Sequence, residues 1–236
     1  MRMCPPKMTS DPIFMVLTVA AILVPRLVAA QGWIEYVSRQ DFFAINFPGQ
    51  PRIQEITWVS EQGAKYPGRV YSAENGPNRF AITVVDYTEA EKINAERAKT
   101  CPPDAQTACS GSATMGVGSW IVDLQGAMAF ALGKFLTREG ARVTFFGWFY
   151  QDLIEGLQAQ ITNADNSRTF VATHMHNDRL YVIEGTVPAG APQPGLFQQS
   201  IQFIDGEGRT IRYATVYSNR YPRPGRAAGP APPAAR

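Results

Sequence analysis

Histidine, cysteine and surplus charge are what this 236-residue sequence has least of, with 2 His, 3 Cys and 22 Lys+Arg against 20 Asp+Glu. The near balance removes the argument for nucleic acid, which leaves a basic patch or stripe. If residues 1–30 are set aside with Arg2, Lys7, Arg26 and Asp11, the remainder carries 22 − 3 = 19 basic and 20 − 1 = 19 acidic groups. No G-x-S-x-G elbow, no Gly-Lys-Ser/Thr phosphate loop and no G-x-G-x-x-G occur, so the common nucleophile and phosphate-binding signatures are missing. Asp205-Gly206-Glu207-Gly208 is too short for an EF-hand loop. Internal repeats are absent too, which disfavours solenoids and propellers. At 45% hydrophobic and 18% charged, the composition is that of a globular protein rather than a collagen, a coiled coil or a polytopic membrane protein.

One long apolar run is present. Residues 13–24 read IFMVLTVAAILV, preceded by Arg2 and Lys7 and followed by Val28, Ala29 and Ala30. A basic start, a short apolar stretch and small residues predict a secretory signal peptide over residues 1–30, cleaved before Gln31. The alternative is an uncleaved anchor, but a spanning helix needs about 20 apolar residues, and Pro25 and Arg26 interrupt this one. Cleavage removes Cys4 and leaves Cys101 and Cys109 in TCPPDAQTACSGS. In an oxidising compartment this pair reads as one local disulfide; a redox dithiol or half of a zinc site are the alternatives. Residues 222–236, PRPGRAAGPAPPAAR, lack the apolar content to build a core and are expected to be a disordered tail. A single α+β domain is then expected over residues 31–221.

Within that domain two periodicities alternate. Period-two patterns predict strands at residues 43–47, 52–59, 68–73 and 80–87, and a short surface helix follows over residues 89–99. From Ser119 to Leu136 the spacing changes, because Ile121, Leu124, Met128, Leu132 and Phe135 recur every three or four residues as one helical stripe. Strands return at residues 143–150, 153–162, 170–176 and 179–187, with Asn177-Asp178 as a two-residue hairpin loop. VTFFGWFY (143–150) is apolar on both faces and reads as a central strand. Residues 196–204 are ambiguous, and residues 210–217 read as a last strand. The pattern predicts an α+β fold: a mostly antiparallel sheet covered by one long helix and shorter ones.

Candidate chemistry is thin. His174 and His176 lie two apart on one strand face, so both imidazoles could converge on copper or zinc, with Met175 opposite. Two ligands leave the shell incomplete, and at a hairpin tip exposed histidines need no function. The glycine-rich SGSATMGVGS (110–119) is explained by helix entry. Asp86, Asp123, Asp152, Glu155 and Glu184 are scattered. The aromatics Trp33, Tyr36, Trp58, Tyr66, Tyr71, Trp120, Trp148 and Tyr150 weigh towards core.

The F-x-I-x-F-P-G-x-P opening (43–51), Val84-Val85-Asp86-Tyr87, Arg179-Leu180-Tyr181-Val182 and Phe197-x-x-Ser200 together resemble uncharacterised exported proteins of α-proteobacteria. Their pattern is similar to the PsbP-like α/β/α sandwich. That resemblance implies an antiparallel sheet under helices and an accessory or binding role, and it transfers no catalytic residue. The expected function is a non-catalytic periplasmic accessory or binding protein without a cofactor, acting on a protein or small-molecule partner. Nucleic acid is not expected, and membrane only through the signal sequence if it is retained. The alternatives are a metal-binding protein using His174 and His176, and an envelope hydrolase. The exported protein is expected to begin at Gln31 by intact mass, and alkylation without reductant is expected to label neither Cys101 nor Cys109; labelling of both would leave the dithiol reading.

Overall fold

The computed structural model describes residues 32–100 and 119–219. The expected signal peptide (1–30), the Cys101 and Cys109 pair, most of the glycine-rich stretch after it, and the tail (222–236) lie outside the described residues. Those that are described fall in one compact unit beginning at Gly32.

Seven strands form one antiparallel sheet in the order β3 (Arg52–Val59), β4 (Lys65–Asn75), β5 (Asn78–Asp86), β9 (Arg179–Val187), β8 (Arg168–His176), β7 (Ile154–Thr162), β6 (Arg142–Gln151). A second, three-stranded sheet joins β1 (Ile34–Ser38), β2 (Phe43–Phe47) and β10 (Gln202–Phe203). Helices α1 (Ala90–Lys99), α2 (Ser119–Leu136) and the five-residue α3 (Gly195–Gln199) complete the described elements. The fold is therefore α+β with antiparallel pairing throughout both sheets.

Turn chemistry fixes the long meander. Asn177 and Asp178 both take positive φ, 48° and 56°, as a two-residue primed turn requires, and short polar side chains tolerate that region. The β6–β7 turn has the same form, with Asp152 at 48° and Leu153 at 63°. Leucine gains nothing locally from that conformation, which is why this turn has no sequence signature.

The central strands bury both faces. On one, Val85, Leu157, Ala159, Val171, Met175, Leu180 and Val182 meet Leu124, Ala127, Ala131, Leu132 and Phe135 of α2, and alanines at the contact let the helix approach β7, β8 and β9 closely. On the other face, Ile82, Val84, Ala172, Tyr181 and Ile183 meet Phe43, Ile45, Phe47, Phe197 and Phe203 from the small sheet and α3.

Two expectations need correction. VTFFGWFY is β6, an edge strand whose neighbour is β7 alone among the described residues, and Val143, Phe145, Phe146, Trp148 and Tyr150 are exposed. Apolar residues on both faces signal the lack of a polar face, not the number of neighbours. Residues 210–217 form no strand: they make only isolated bridges, Thr210 to Ile204 and Tyr217 to Ile154. The ambiguous stretch 196–204 divides into α3 and β10.

A buried carboxylate ties α2 to the β3–β4 hairpin. Asp123 accepts from the hydroxyls of Ser60 (2.9 Å) and Tyr66 (2.8 Å) and from the Gln62 amide (3.2 Å). Asn94 of α1 donates to the Tyr66 oxygen at 2.7 Å. Burial first, and then the Asp123 charge, push the Tyr66 phenol well above its ordinary value, so it stays a donor. Asp123→Ala is expected to lower the unfolding free energy in urea by about 3 kcal/mol, because buried donors lose their acceptor. Tyr66→Phe, which removes one donor and leaves the carboxylate with the others, is expected to cost less.

Candidate functional site

Strand β8 presents different chemistry on its two faces. Alternation sends Met175 towards α2 and sends His174 and His176 towards the small sheet, so one strand serves both candidate sites.

On the histidine face the imidazoles are buried, with 0% of His174 and 1% of His176 exposed. This corrects the expectation of exposed side chains at a hairpin tip: the chain returning through β10 and residues 210–217 lies over them. The His176 ring centroid is 4.9 Å from both Phe203 and Tyr217 and 5.8 Å from Tyr213. That of His174 is 5.6 Å from Phe149 and 5.7 Å from Phe203. Nδ1 of His174 lies 3.3 Å from the Glu155 carbonyl oxygen and donates to it as the protonated nitrogen, and Nε2 of His176 is 2.7 Å from the Tyr213 hydroxyl. The His174 ring sits over Gly156, where an added Cβ would come within 2.5 Å of Nδ1 and 2.4 Å of the Thr173 carbonyl oxygen. Glycine is required there by close approach. Among the described residues, no three His, Cys, Asp or Glu side chains gather as a metal set.

The five carboxylates singled out from sequence are engaged separately. Asp86 pairs with Arg179 at 3.5 Å and Asp152 with Arg212; Asp123 holds the network described above. Glu155 is buried, and burial raises the Glu184 carboxyl. A sixth, Asp41, had no sequence signal. It accepts from Arg69 through Nε at 2.7 Å and through Nη2, and from the Tyr71 hydroxyl at 2.5 Å. Its carbonyl accepts from Tyr181 at 2.9 Å. This knot clamps the β1–β2 turn onto β4 and β9.

On the helix face an open cleft of about 410 Å³ is lined by Leu124, Gln125 and Met128 of α2, Trp148 of β6, Met175 of β8, and Ser218 and Asn219. Among the described residues most of that lining is apolar and none of it is ionisable, and the volume falls in the range of small-ligand sites. Asn219 is oriented by donating to Asp178 (3.1 Å) and accepting from Tyr217 (2.9 Å). Of these residues the sequence had marked Leu124 and Met128 as helix stripe, Met175 as the residue opposite the histidines and Trp148 as a core aromatic. Their convergence depends on where β6 and the return of residues 218–219 end up, and local pattern carries no signal for either.

No protein-family model matches the chain, and a search of curated proteins gives no match. Among solved structures the chain is similar to the solution structure of cyanobacterial PsbP (CyanoP) from Synechocystis sp. PCC 6803. The two are 11% identical with a TM-score of 0.42, over 75% of this chain and 95% of that one.

Burial pushes the His174 imidazole down from 6.5 to about 4, so the folded state holds it neutral while the unfolded chain protonates it below pH 6.5. Its contribution is complete above that value and is lost progressively as pH falls through 6.5 towards 4, to a total of about 3 kcal/mol. Urea midpoints of the wild type are expected to fall across that window. His174→Gln, with no ring to titrate, is expected to show a shallower fall whatever its stability at pH 7; equal slopes would disprove the assignment.

Proposed function

We propose that this chain is a non-catalytic accessory or binding protein exported to the bacterial periplasm, and that its cleft takes a small, uncharged, largely apolar ligand. The finer reading of the fold, a PsbP-like sandwich with one long helix as its main cover, belongs to the same proposal.

The observation that carries it is the cleft. Two methionines and a tryptophan give an adaptable, polarizable wall, and Gln125, Ser218 and Asn219 supply the polar atoms in a lining that is otherwise apolar. A charged ligand would find no counter-charge among the described lining residues, and its desolvation would go uncompensated by them. The histidine pair supports the rival metal and hydrolase readings less well. Its rings are packed among Phe149, Phe203, Tyr213 and Tyr217, and a substrate could reach them only by displacing that cover.

Titration of the exported protein with N-phenyl-1-naphthylamine, a neutral apolar fluorophore, tests this reading. Saturable binding is expected, weakened about tenfold or more, or at least 1.4 kcal/mol, by Met128→Arg and unchanged by Phe146→Arg, which is outside the lining. Absence of saturable binding, equal weakening by both variants, or binding only after removal of residues 220–236 would each overturn it; the last would mean that the chain's own C-terminal residues occupy the cleft.

A further inference from the structure

The histidine cluster and the cleft stand back to back across the large sheet. Met175, in the cleft wall, lies between His174 and His176 in sequence, and alternation turns it to the opposite face. Trp148, also in the wall, adjoins Phe149, whose ring centroid is 5.6 Å from that of His174. Ser218 adjoins Tyr217, whose ring is 4.9 Å from that of His176. Of the segments that line the cleft, β6, β8 and residues 218–219 are therefore each anchored one residue away in the histidine cluster. That anchor is built around a neutral ring. His174 is fully buried, its Nδ1 donates to the Glu155 carbonyl oxygen, and its Nε2 has no hydrogen-bond partner among the described residues. A second proton would go to that nitrogen and make a buried, charged donor in a ring packed by Phe149 and Phe203, which is costly without compensation.

We propose that the histidine cluster is an acid-operated release for the cleft: charging His174 loosens the rings and the returning chain packed over the pair, and the cleft, whose walls are the next residues along, opens and gives up its ligand. This rests on the cleft reading above and supplies its regulation. Among the described residues, the titratable groups around His174 are neutral or engaged elsewhere. Tyr181 lies opposite on β9, and burial holds its phenol well above the ordinary value. Arg179, opposite His176, is a cation paired with Asp86. On β7, Gly156 lies opposite His174, and the Glu155 side chain alternates to the other face. β6 and β10 present Phe149 and Phe203, and the return presents Tyr213 and Tyr217. Asp178 accepts from Asn219, and Asp152 pairs with Arg212. The return is the element that yields. β8 is paired on both sides, whereas residues 210–217 make only isolated bridges. Tyr217 is tied to the β6–β7 hairpin by its N–H to the Leu153 carbonyl and by the Glu155 N–H to its own carbonyl, both 2.9 Å. Segments with so few ties are the ones that open locally. Closed, the structure depresses His174 from 6.5 to about 4, and a ring exposed by opening titrates near 6.5, so closure is favoured above pH 6.5 and loses ground as pH falls towards 4. From pH 7 to pH 5, linkage makes opening about 20-fold more favourable.

Titration of the exported protein with N-phenyl-1-naphthylamine, which stays neutral throughout, at pH 7, 6 and 5 with circular dichroism alongside, tests the release. Its affinity is expected to weaken about threefold or more between pH 7 and pH 5, up to the roughly 20-fold limit set by linkage, with the circular dichroism unchanged. By reciprocity, saturating probe is expected to lower the pH at which the His174 ring titrates in magnetic resonance spectra of the wild type, a measurement that needs no variant. His174→Gln is expected to bind with a flat pH profile, and a chelator to change nothing. An affinity that holds from pH 7 to pH 5, a loss seen only with global unfolding, a His174 titration indifferent to the probe, a folded His174→Gln that keeps the wild-type slope, or a profile abolished by the chelator would each overturn the release and leave the cleft standing. Absence of saturable binding at every pH would remove the cleft, and the release with it.

Discussion

Most of this structure follows from one constraint: the central strands of the large sheet are apolar on both faces and must be covered twice. β5 and β9 state it most directly, since Val85, Leu180 and Val182 look one way while Ile82, Val84, Tyr181 and Ile183 look the other. Helix α2 answers on the first face. The small sheet, with α3 and the return of residues 210–217, answers on the second. Covers of this kind attach through burial, which is strong and undirected; direction comes from a few buried polar knots. Asp123 fixes α2 against the β3–β4 hairpin, and Asp41 fixes the β1–β2 turn against Arg69, Tyr71 and Tyr181. Each carboxylate is nearly saturated by donors, the condition under which a buried charge is tolerated.

Those knots absorb polar groups that sequence reading could assign to chemistry. Asp123 and Asp152 look like spare carboxylates in the sequence, and in the fold each is held by named partners. The histidines are similar. Their two-residue spacing correctly puts both rings on one side of β8, but what lies on that side depends on β10 and the segment behind it. Those residues are about thirty positions away and irregular, so nothing near His174 announces that it is buried or that its pKa is depressed.

Legibility followed range. Strands such as β2, β5 and β9 could be read within a residue or two, because a short run of β-branched and aromatic residues closed by turn residues is a local signal. The β8–β9 turn was readable because Asn and Asp tolerate positive φ; the β6–β7 turn, built from Asp152 and Leu153, was not, because leucine there is held by its surroundings. The misreading of residues 210–217 has the same origin. Tyr213 and Tyr217 alternate as a strand would, yet they serve as lids over His176, and a lid needs no ladder. The cleft was beyond reach for a further reason, since its wall joins residues from α2, β6, β8 and the stretch after Tyr217.

The placement of β6 shows how the covering constraint shapes the surface. Helix α2 reaches β7, β8 and β9, and the small sheet lies over the middle of the opposite face, so neither cover extends fully to β6. Phe149 still turns inward to His174, while Phe146, Trp148 and Tyr150 stand on the other face and are each about half exposed. Trp148 closes one side of the cleft while standing on this strand, so the cleft and the open edge have a common cause: a sheet one strand wider than its helical cover. The opposite edge strand, β3, carries Arg52, Gln54 and Glu55.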